Sequence, residues 1–317
     1  MKRSTPLATA MIALSACCFG SIAILVTLAQ RGGAPLASIL TLRFALGAIG
    51  LFAVAGGWRG VTAVPGRATR LVTLGGPPQA LIGFTSLLAL RWIPVATLVF
   101  LFYTYPSWIA VIAAARGTER LDATKIAALL LSLAGITIMV GAPSASTLHP
   151  IGVALTLFAA LVYALYIPFI GKLSAGVPAS SASGFVAIGA AISFLAVGII
   201  ALLLPGELSP AARQTLGLSL SFSPLAWGAI ALLAGVSTVI AFVLFLRGLS
   251  ILGPVRTGIV STIEPFWAAL LGAVVLDQPI GTGTLVGGVA IALAVMLLQL
   301  PPRRPTVTLG PLEESIS

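Results

Sequence analysis

Ser261–Gly272 reads STIEPFWAALLG. An acid, Glu264, stands inside an otherwise apolar run, and Pro265 follows it directly. In a membrane-spanning helix a carboxylate facing lipid costs about 2.5–3.5 kcal/mol on insertion scales. Proline removes a backbone donor and strains the turn before it. Two costly residues side by side call for a setting in which both are accommodated, and that setting decides the fold.

The surroundings of this stretch identify the solvent. Of 317 residues, 59% are hydrophobic and only 8% charged, and the mean hydropathy is +1.14. An average soluble domain is about 25% charged. The composition is that of a polytopic membrane protein. The net charge of +10 does not point to nucleic acid, because the basic residues fall singly or in pairs between apolar runs. The only cysteines, Cys17 and Cys18, are neighbours and form neither a disulfide framework nor a metal signature. No cofactor or metal site is expected. The single histidine, His149, falls in a short polar connection. Lys2-Arg3 and the "LSAC" at 14–17 resemble a lipoprotein signal, but the apolar run continues through Phe19–Ala29 to spanning length. One uncleaved transmembrane helix is expected there.

A span takes about 20 apolar residues. Ten runs qualify: 7–29, 35–56, 70–90, 94–115, 124–141, 150–171, 180–204, 224–246, 254–275 and 283–300. The connection around Pro205–Pro224 has room for a short surface helix, and the Pro-rich tail 301–317 is expected to be cytoplasmic and disordered. With the N-terminus in the cytoplasm, thirteen of the seventeen Lys and Arg fall on the cytoplasmic side, three fall opposite, and Arg43 is left inside a span. The positive-inside bias therefore places both termini in the cytoplasm. A multi-pass plasma (inner) membrane location is expected.

The chain also echoes itself. Pro106-Ser-Trp108 and Pro265-Phe-Trp267 lie 159 residues apart, in PSWIAVIAAARGTERL and PFWAALLGAVVLDQPI. The same offset sets Glu119 against Gln278. Each copy holds five runs, an odd number, so the second must enter the membrane from the opposite side. The expected fold is an all-α membrane protein of ten transmembrane helices, built as two inverted five-helix repeats.

These residues resemble the EamA family of the drug/metabolite transporter superfamily. The likeness spans two tandem units, 7–141 and 150–300. It is clearest in AFVLFLRGLSILGPVRTGIVSTIEPFWAALLGAVVLDQPIGTGTLVGG, with TYPSWIAVIAAARGTERL as the counterpart in the first unit. Asp277-Gln278 departs from the Gly-Glu usual in the family, in a turn near the surface where a structural consequence is expected. The resemblance implies a ten-helix carrier with a central cavity and leaves its substrate open.

Arg43 and Glu264 are the ionisable residues near mid-span. Such residues face the bundle interior, pair with a partner or mark a pathway. Glu264 either bonds a neighbouring helix permanently or contacts substrate or a proton. Arg43 either pairs with a carboxylate, Glu264 included, or a helix C-terminus, or attracts a substrate carboxylate. The repeat offset sets Tyr105 opposite Glu264, so Tyr105-Pro106 repeats the Glu264-Pro265 kink with a neutral hydroxyl. Trp108 and Trp267 follow each kink, either stacking on a ligand or packing. In LGGPPQALIGF, Pro77 and Pro78 break the third span and Gln79 is expected to face the interior. Tyr163 and Tyr166, three apart, share a face suited to a cavity wall or a bundle interior. Gly283–Gly287 is a GxxxG that packs helices within the chain or in a dimer, so monomer and homodimer both stay open.

The expected function is a secondary transporter rather than an enzyme. It would export a small metabolite, amino acid or drug-like compound by alternating access, with proton coupling through Glu264 as an option. The chain has no GxxxxGK[ST] loop to hold ATP. Two alternatives are a flippase of lipid-linked molecules and an intramembrane lipid-modifying enzyme. The enzyme would need paired acid/base groups or an activated nucleophile, for which one histidine and no GxSxG or HExxH make a poor start. The expected partners are a small-molecule substrate and membrane lipid.

Overall fold

The computed structural model describes residues 4–298 except 63, 65, 90, 94, 120, 142–147, 204–208 and 278–279. The proposed tail 301–317 and the Glu119–Gln278 correspondence lie outside these residues or rest partly on them.

Ten long helical segments run in chain order: α1 (Thr5–Arg31), α2 (Leu36–Val54), α3 (68–89), α4 (Thr97–Ala115), α5 (Ala123–Val140), α6 (Pro150–Leu173), α7 (Ala179–Leu203), α8 (Pro224–Leu252), α9 (Pro254–Leu276) and α10 (Thr282–Leu297). Among the described residues, eight of these are long and apolar enough to cross a membrane. The other two are α3, whose first part winds as a π-helix, and α10, which has 16 residues. Short helices at Trp58–Thr62 and Pro210–Leu216 lie in connections. The second occupies the connection where a surface helix was expected.

Side chains are sorted as in a protein solvated by lipid. Val274 is 80% exposed and Leu203 77%, while Ser181, Thr238 and Thr257 are fully buried. A chain in water would pay for exposing such apolar area at roughly 25 cal/mol per Å². The ends of the helices are locally specified. Asp122 accepts the backbone N–H of Lys125 at 2.9 Å to start α5, and Ser223 caps α8. Gly253 joins α8 to α9 at φ +76°, a left-handed conformation that favours glycine, and Pro254 then opens α9.

The packing of the helices has a regular pattern. α1 packs on α8, and α6 packs on α3. α1 also packs on α9, as α6 does on α4, and α2 on α8, as α7 does on α3. α2 meets α7, and α5 meets α10. Exchanging the first five helices for the last five leaves this set of neighbours unchanged.

The irregular turns obey the same exchange. α4 is interrupted at Tyr103–Thr104 and α9 at Thr262, positions about 159 residues apart. The π-helical turns are Leu71–Gly75 in α3 and Gly235–Ile240 in α8. In both cases a glycine of the neighbouring helix faces the widened turn: Gly189 against Val72 and Gly47 against Thr238. Each glycine lets backbone or a β-branched side chain approach where a methyl group would collide.

The GxxxG on α10 packs within the chain. A Cβ on Gly283 would lie 2.7 Å from the Ile138 carbonyl, and one on Gly287 would collide with the Gly135 carbonyl. Small residues thus let α5 and α10 touch along their backbones.

Candidate substrate cavity

Pro265 does not break its helix from within. α9 stops at Thr262 and restarts at Ile263, so Glu264 and Pro265 stand in the first turn of a new helical stretch. The first-turn N–H groups have no intrahelical partner, so proline loses nothing there. A carboxylate is favoured there by the positive end of the helix dipole. Pro106 occupies the same place at the start of the second half of α4. Each acid-proline or tyrosine-proline step is thus a helix start placed partway along a span.

A third interruption lies at Ser21 of α1, which packs on α9. Gly20 makes the approach possible, since a Cβ there would lie 2.7 Å from the Glu264 carbonyl. Between the interruptions lies a cavity of about 400 Å³. Its wall is mostly carbon, with phenyl rings from Phe19, Phe44, Phe102, Phe194, Phe242 and Phe245. Phe44 stacks on Phe194 at 5.9 Å, and Phe19 meets Phe242 edge-on at 5.6 Å. Its polar groups are Arg43, Gln79, Ser86, Tyr103, Tyr163, Tyr166, Ser183 and Glu264.

Arg43 is 5% exposed, and its position is fixed from across the bundle. Nε donates to Thr238 Oγ1 at 3.0 Å and Nη2 to the Ser237 carbonyl at 3.0 Å. The π-helical turn supplies both acceptors. Thr238 Oγ1 in turn donates to the Leu233 carbonyl at 3.0 Å, five residues back. Ser237 Oγ meets Ser21 Oγ at 2.8 Å, so one widened turn ties the interruption of α1 to the cation on α2. The guanidinium carbon also lies 4.8 Å from the centroid of its neighbour Phe44.

Glu264 is half-buried in the cavity wall, which Tyr103 also lines. It shares the cavity with Arg43 without pairing to it. The two charges attract each other, yet no N···O contact within 4.0 Å joins them. Of the options open for Arg43 in the sequence, direct pairing with Glu264 is therefore replaced by anchoring to the π-helical turn.

The other singled-out residues divide. Gln79, Tyr163 and Tyr166 line the cavity, as does Pro265. Tyr105 is 1% exposed and lies behind the wall. Its ring packs on Tyr163 at 4.7 Å, and its hydroxyl donates to the Gly258 carbonyl at 3.4 Å. Tyr103, at the interruption itself, is the α4 tyrosine that lines the cavity with Glu264. Trp108 and Trp267 are 40% and 37% exposed and do not line the cavity. Pro77 is exposed and Pro78 half-buried, and neither lines it. The break expected at these two prolines is instead the π-helical turn just before them. His149 is exposed at the start of α6 and stacks with Trp92 at 6.4 Å.

Residues 150–300, which include α6 to α10 and the acid-proline step, match the EamA-like transporter family. The match and the eight helices long and apolar enough to cross a membrane, among the described residues, agree with a multi-pass membrane protein similar to drug/metabolite transporters. No curated protein matches it. Among solved structures, one described as the crystal structure of a protein is similar at 19% identity, with a TM-score of 0.73. The alignment covers 92% of this chain and 96% of that one. At that identity the likeness shows the fold alone.

Proposed function

We propose that this chain, like the EamA-like transporters its second half matches, is a secondary transporter that exports a small amphipathic metabolite, amino acid or drug-like compound by alternating access. The observation that carries the reading is the cavity bounded by three interrupted helices, with Arg43 and Glu264 both in its wall and unpaired with each other. Buried charges are expensive and are kept where they are used. Interrupted helices leave backbone groups exposed, which is tolerated where they line a cavity.

The exchangeable packing pattern supports two five-helix units, 7–141 and 150–300, inserted in opposite senses. Rocking one unit against the other, with the interruptions in α4 and α9 as hinges, would expose the cavity to each side in turn. The distribution of Lys and Arg favours a plasma membrane orientation with both termini in the cytoplasm. Glu264 is the one carboxylate among the residues lining the cavity, so proton coupling would run through it.

The test is a comparison of metabolite efflux from cells with and without the protein, followed by counterflow of the candidate in proteoliposomes. A compound retained only by the cells lacking the protein, and exchanged by the vesicles, is expected. No difference in efflux and no counterflow would overturn the reading.

A further inference from the structure

Some of the helix packing has no exchanged counterpart. The second half of α4 (Tyr105–Ala115) packs on the first half of α9 (Pro254–Ser261). Exchanging the units turns this pair into the first half of α4 on the second half of α9 (Ile263–Leu276), and those two do not pack comparably among the described residues. The end of α8 (Ala241–Leu252) packs on α7, while its counterpart in α3, Gly76–Ala89, does not pack comparably on α2 among the described residues. Both one-sided contacts lie toward the face of the α8–α9 turn. The cavity runs the other way, toward the α1–α2 and α3–α4 turns, where Val26, Leu36, Ser86 and Leu98 line it. It is shut on one face and open toward the other.

The contact on the shut face is specific. A Cβ on Gly258 would lie 3.0 Å from Cδ1 of Ile109 and 3.5 Å from Cβ of Pro106, and the Gly258 carbonyl accepts the Tyr105 hydroxyl at 3.4 Å. Gly258 and Ile109 are buried. The 159-residue offset relates Gly258 to Val99, Pro106 to Pro265, Ile109 to Ala268 and Tyr105 to Glu264. These four counterparts all line the cavity, and Val99 and Ala268 are half-buried. The sizes are complementary in both places: glycine against isoleucine where the contact is made, valine against alanine where it is not.

We propose that Val99 closes against Pro265 and Ala268 in the opposite state of the chain, and that this second gate shuts only when the Glu264 side chain is protonated and donates a hydrogen bond across it. This deepens the transporter reading and rests on its two exchanging units.

The donor requirement follows from the exchange. In the contact already made, a hydroxyl on Tyr105 donates to the Gly258 carbonyl. In its counterpart, Glu264 meets the Val99 carbonyl. A carboxylate only accepts, so two acceptors would be pressed together in an apolar place, whereas a carboxylic acid donates. The proton passes from water in the open cavity to a Glu264 carboxylate oxygen and leaves again when the gate reopens. The titratable and charged groups around Glu264 are Cys17 on α1, Arg43 on α2, Tyr103 and Tyr105 on α4 and Tyr163 on α6. Arg43 is the cation among them and opposes protonation. Its anchoring on Thr238 and the Ser237 carbonyl keeps it from pairing with Glu264 and fixing the acid in its ionised form. The two gates therefore differ: the tyrosine gate shuts without a proton, and the glutamate gate needs one.

The test is disulfide trapping of the full chain in proteoliposomes, on a Cys17→Ser, Cys18→Ala background, with copper phenanthroline as oxidant. Val99→Cys with Ala268→Cys is expected to cross-link, since Cβ atoms in contact lie within disulfide reach. Val99→Cys with Val274→Cys, the second site being 80% exposed, is expected not to. Glu264→Gln supplies a donor without a proton and should speed the first cross-link about fivefold, the weight of one hydrogen bond. Glu264→Ala, neutral but without a donor, should not. Should the double-cysteine chain fail to fold, Ser86→Cys alone decides. An impermeant thiol reagent applied at the face of the α3–α4 turn is expected to label it about fivefold more slowly once Glu264→Gln is added. Absence of the Val99–Ala268 cross-link, an equal rate for the Val274 pair, equal rates in Glu264→Gln and Glu264→Ala, or Ser86→Cys labelling unchanged by Glu264→Gln would each overturn the inference. Counterflow in the same vesicles separates the two readings. Cross-linking as expected without counterflow of any metabolite refutes transport and leaves the gate standing. Counterflow without the cross-link refutes the gate and leaves transport standing.

Discussion

Gly47 and Thr238 face each other so closely that a Cβ on the glycine would lie 2.6 Å from Thr238 Cγ2 and 3.0 Å from its Cβ. Thr238 also holds Nε of Arg43, one turn before Gly47 on the same helix. The contact between α2 and α8 thus sets where the buried cation points. A small residue at 47 and a hydroxyl at 238 serve the cavity without touching what enters it.

Gly47→Ala is accordingly expected to destabilise the protein by about 1–3 kcal/mol through overpacking, read as a lower melting temperature in detergent. Thr238→Ser removes Cγ2 and keeps the hydroxyl. Combined with Gly47→Ala it should restore much of the loss. Independent, additive effects of the two changes would show that the contact is not the cause.

The seam between α5 and α10 gives a contrast between glycines. Gly287→Ala places a methyl group against the Gly135 carbonyl and Met139, with backbone on both sides and no flexible side chain to yield at the nearest contact. A clear drop in melting temperature is expected. Gly228, in the first half of α8, would meet nothing within 4 Å. Gly228→Ala should be neutral or should stabilise by about 0.5–1 kcal/mol, the helical preference of alanine over glycine. Equal effects at the two positions would contradict the close approach.

The two neighbouring tyrosines of α4 should separate function from support. Tyr103→Phe removes the hydroxyl of a residue that lines the cavity together with Glu264. Transport is expected to fall, because the change removes a polar group from the cavity wall. Tyr105→Phe removes a hydroxyl behind the wall that donates to the Gly258 carbonyl at 3.4 Å. It should cost about 0.5–1.5 kcal/mol of stability and leave substrate affinity unchanged. Vesicle transport and thermal melting, measured side by side, distinguish the pair.

Trp108→Ala and Trp267→Ala remove large exposed rings outside the cavity. Both variants are expected to keep the wild-type KM. A KM raised several-fold in either would return the indoles to the substrate path.

The chain's hydropathy made the helices legible because lipid imposes a length and a composition on whatever crosses it. The acid-proline and tyrosine-proline steps were legible because their residues are costly in any other place. Arg43, Glu264, Gln79, Tyr163 and Tyr166 stood out by polarity in apolar runs, and the structure gathers them around one cavity. Tyr103 did not stand out, because the repeat offset pairs Tyr105 with Glu264 and nothing in the sequence marks the turn before Tyr105 as the interruption. The π-helical turns leave no mark in composition: GVSTVI reads as ordinary apolar helix. Nor could the anchoring of Arg43 be read, since its partners lie 194 and 195 residues along the chain. Contacts of that range depend on how helices cross, which a single sequence does not encode locally.

Ser86 lines the cavity and carries a side chain close in size to cysteine. On a background of Cys17→Ser and Cys18→Ala, which removes the only native thiols, Ser86→Cys can be probed with a membrane-impermeant thiol reagent. The reagent is applied to sealed vesicles from outside in one experiment and trapped inside in another. Labelling from each side, slowed in both cases by a bound substrate, is the expected result. Labelling from one side only, or by lipid-soluble reagents alone, would contradict a central pocket that opens to both faces of the membrane by turns.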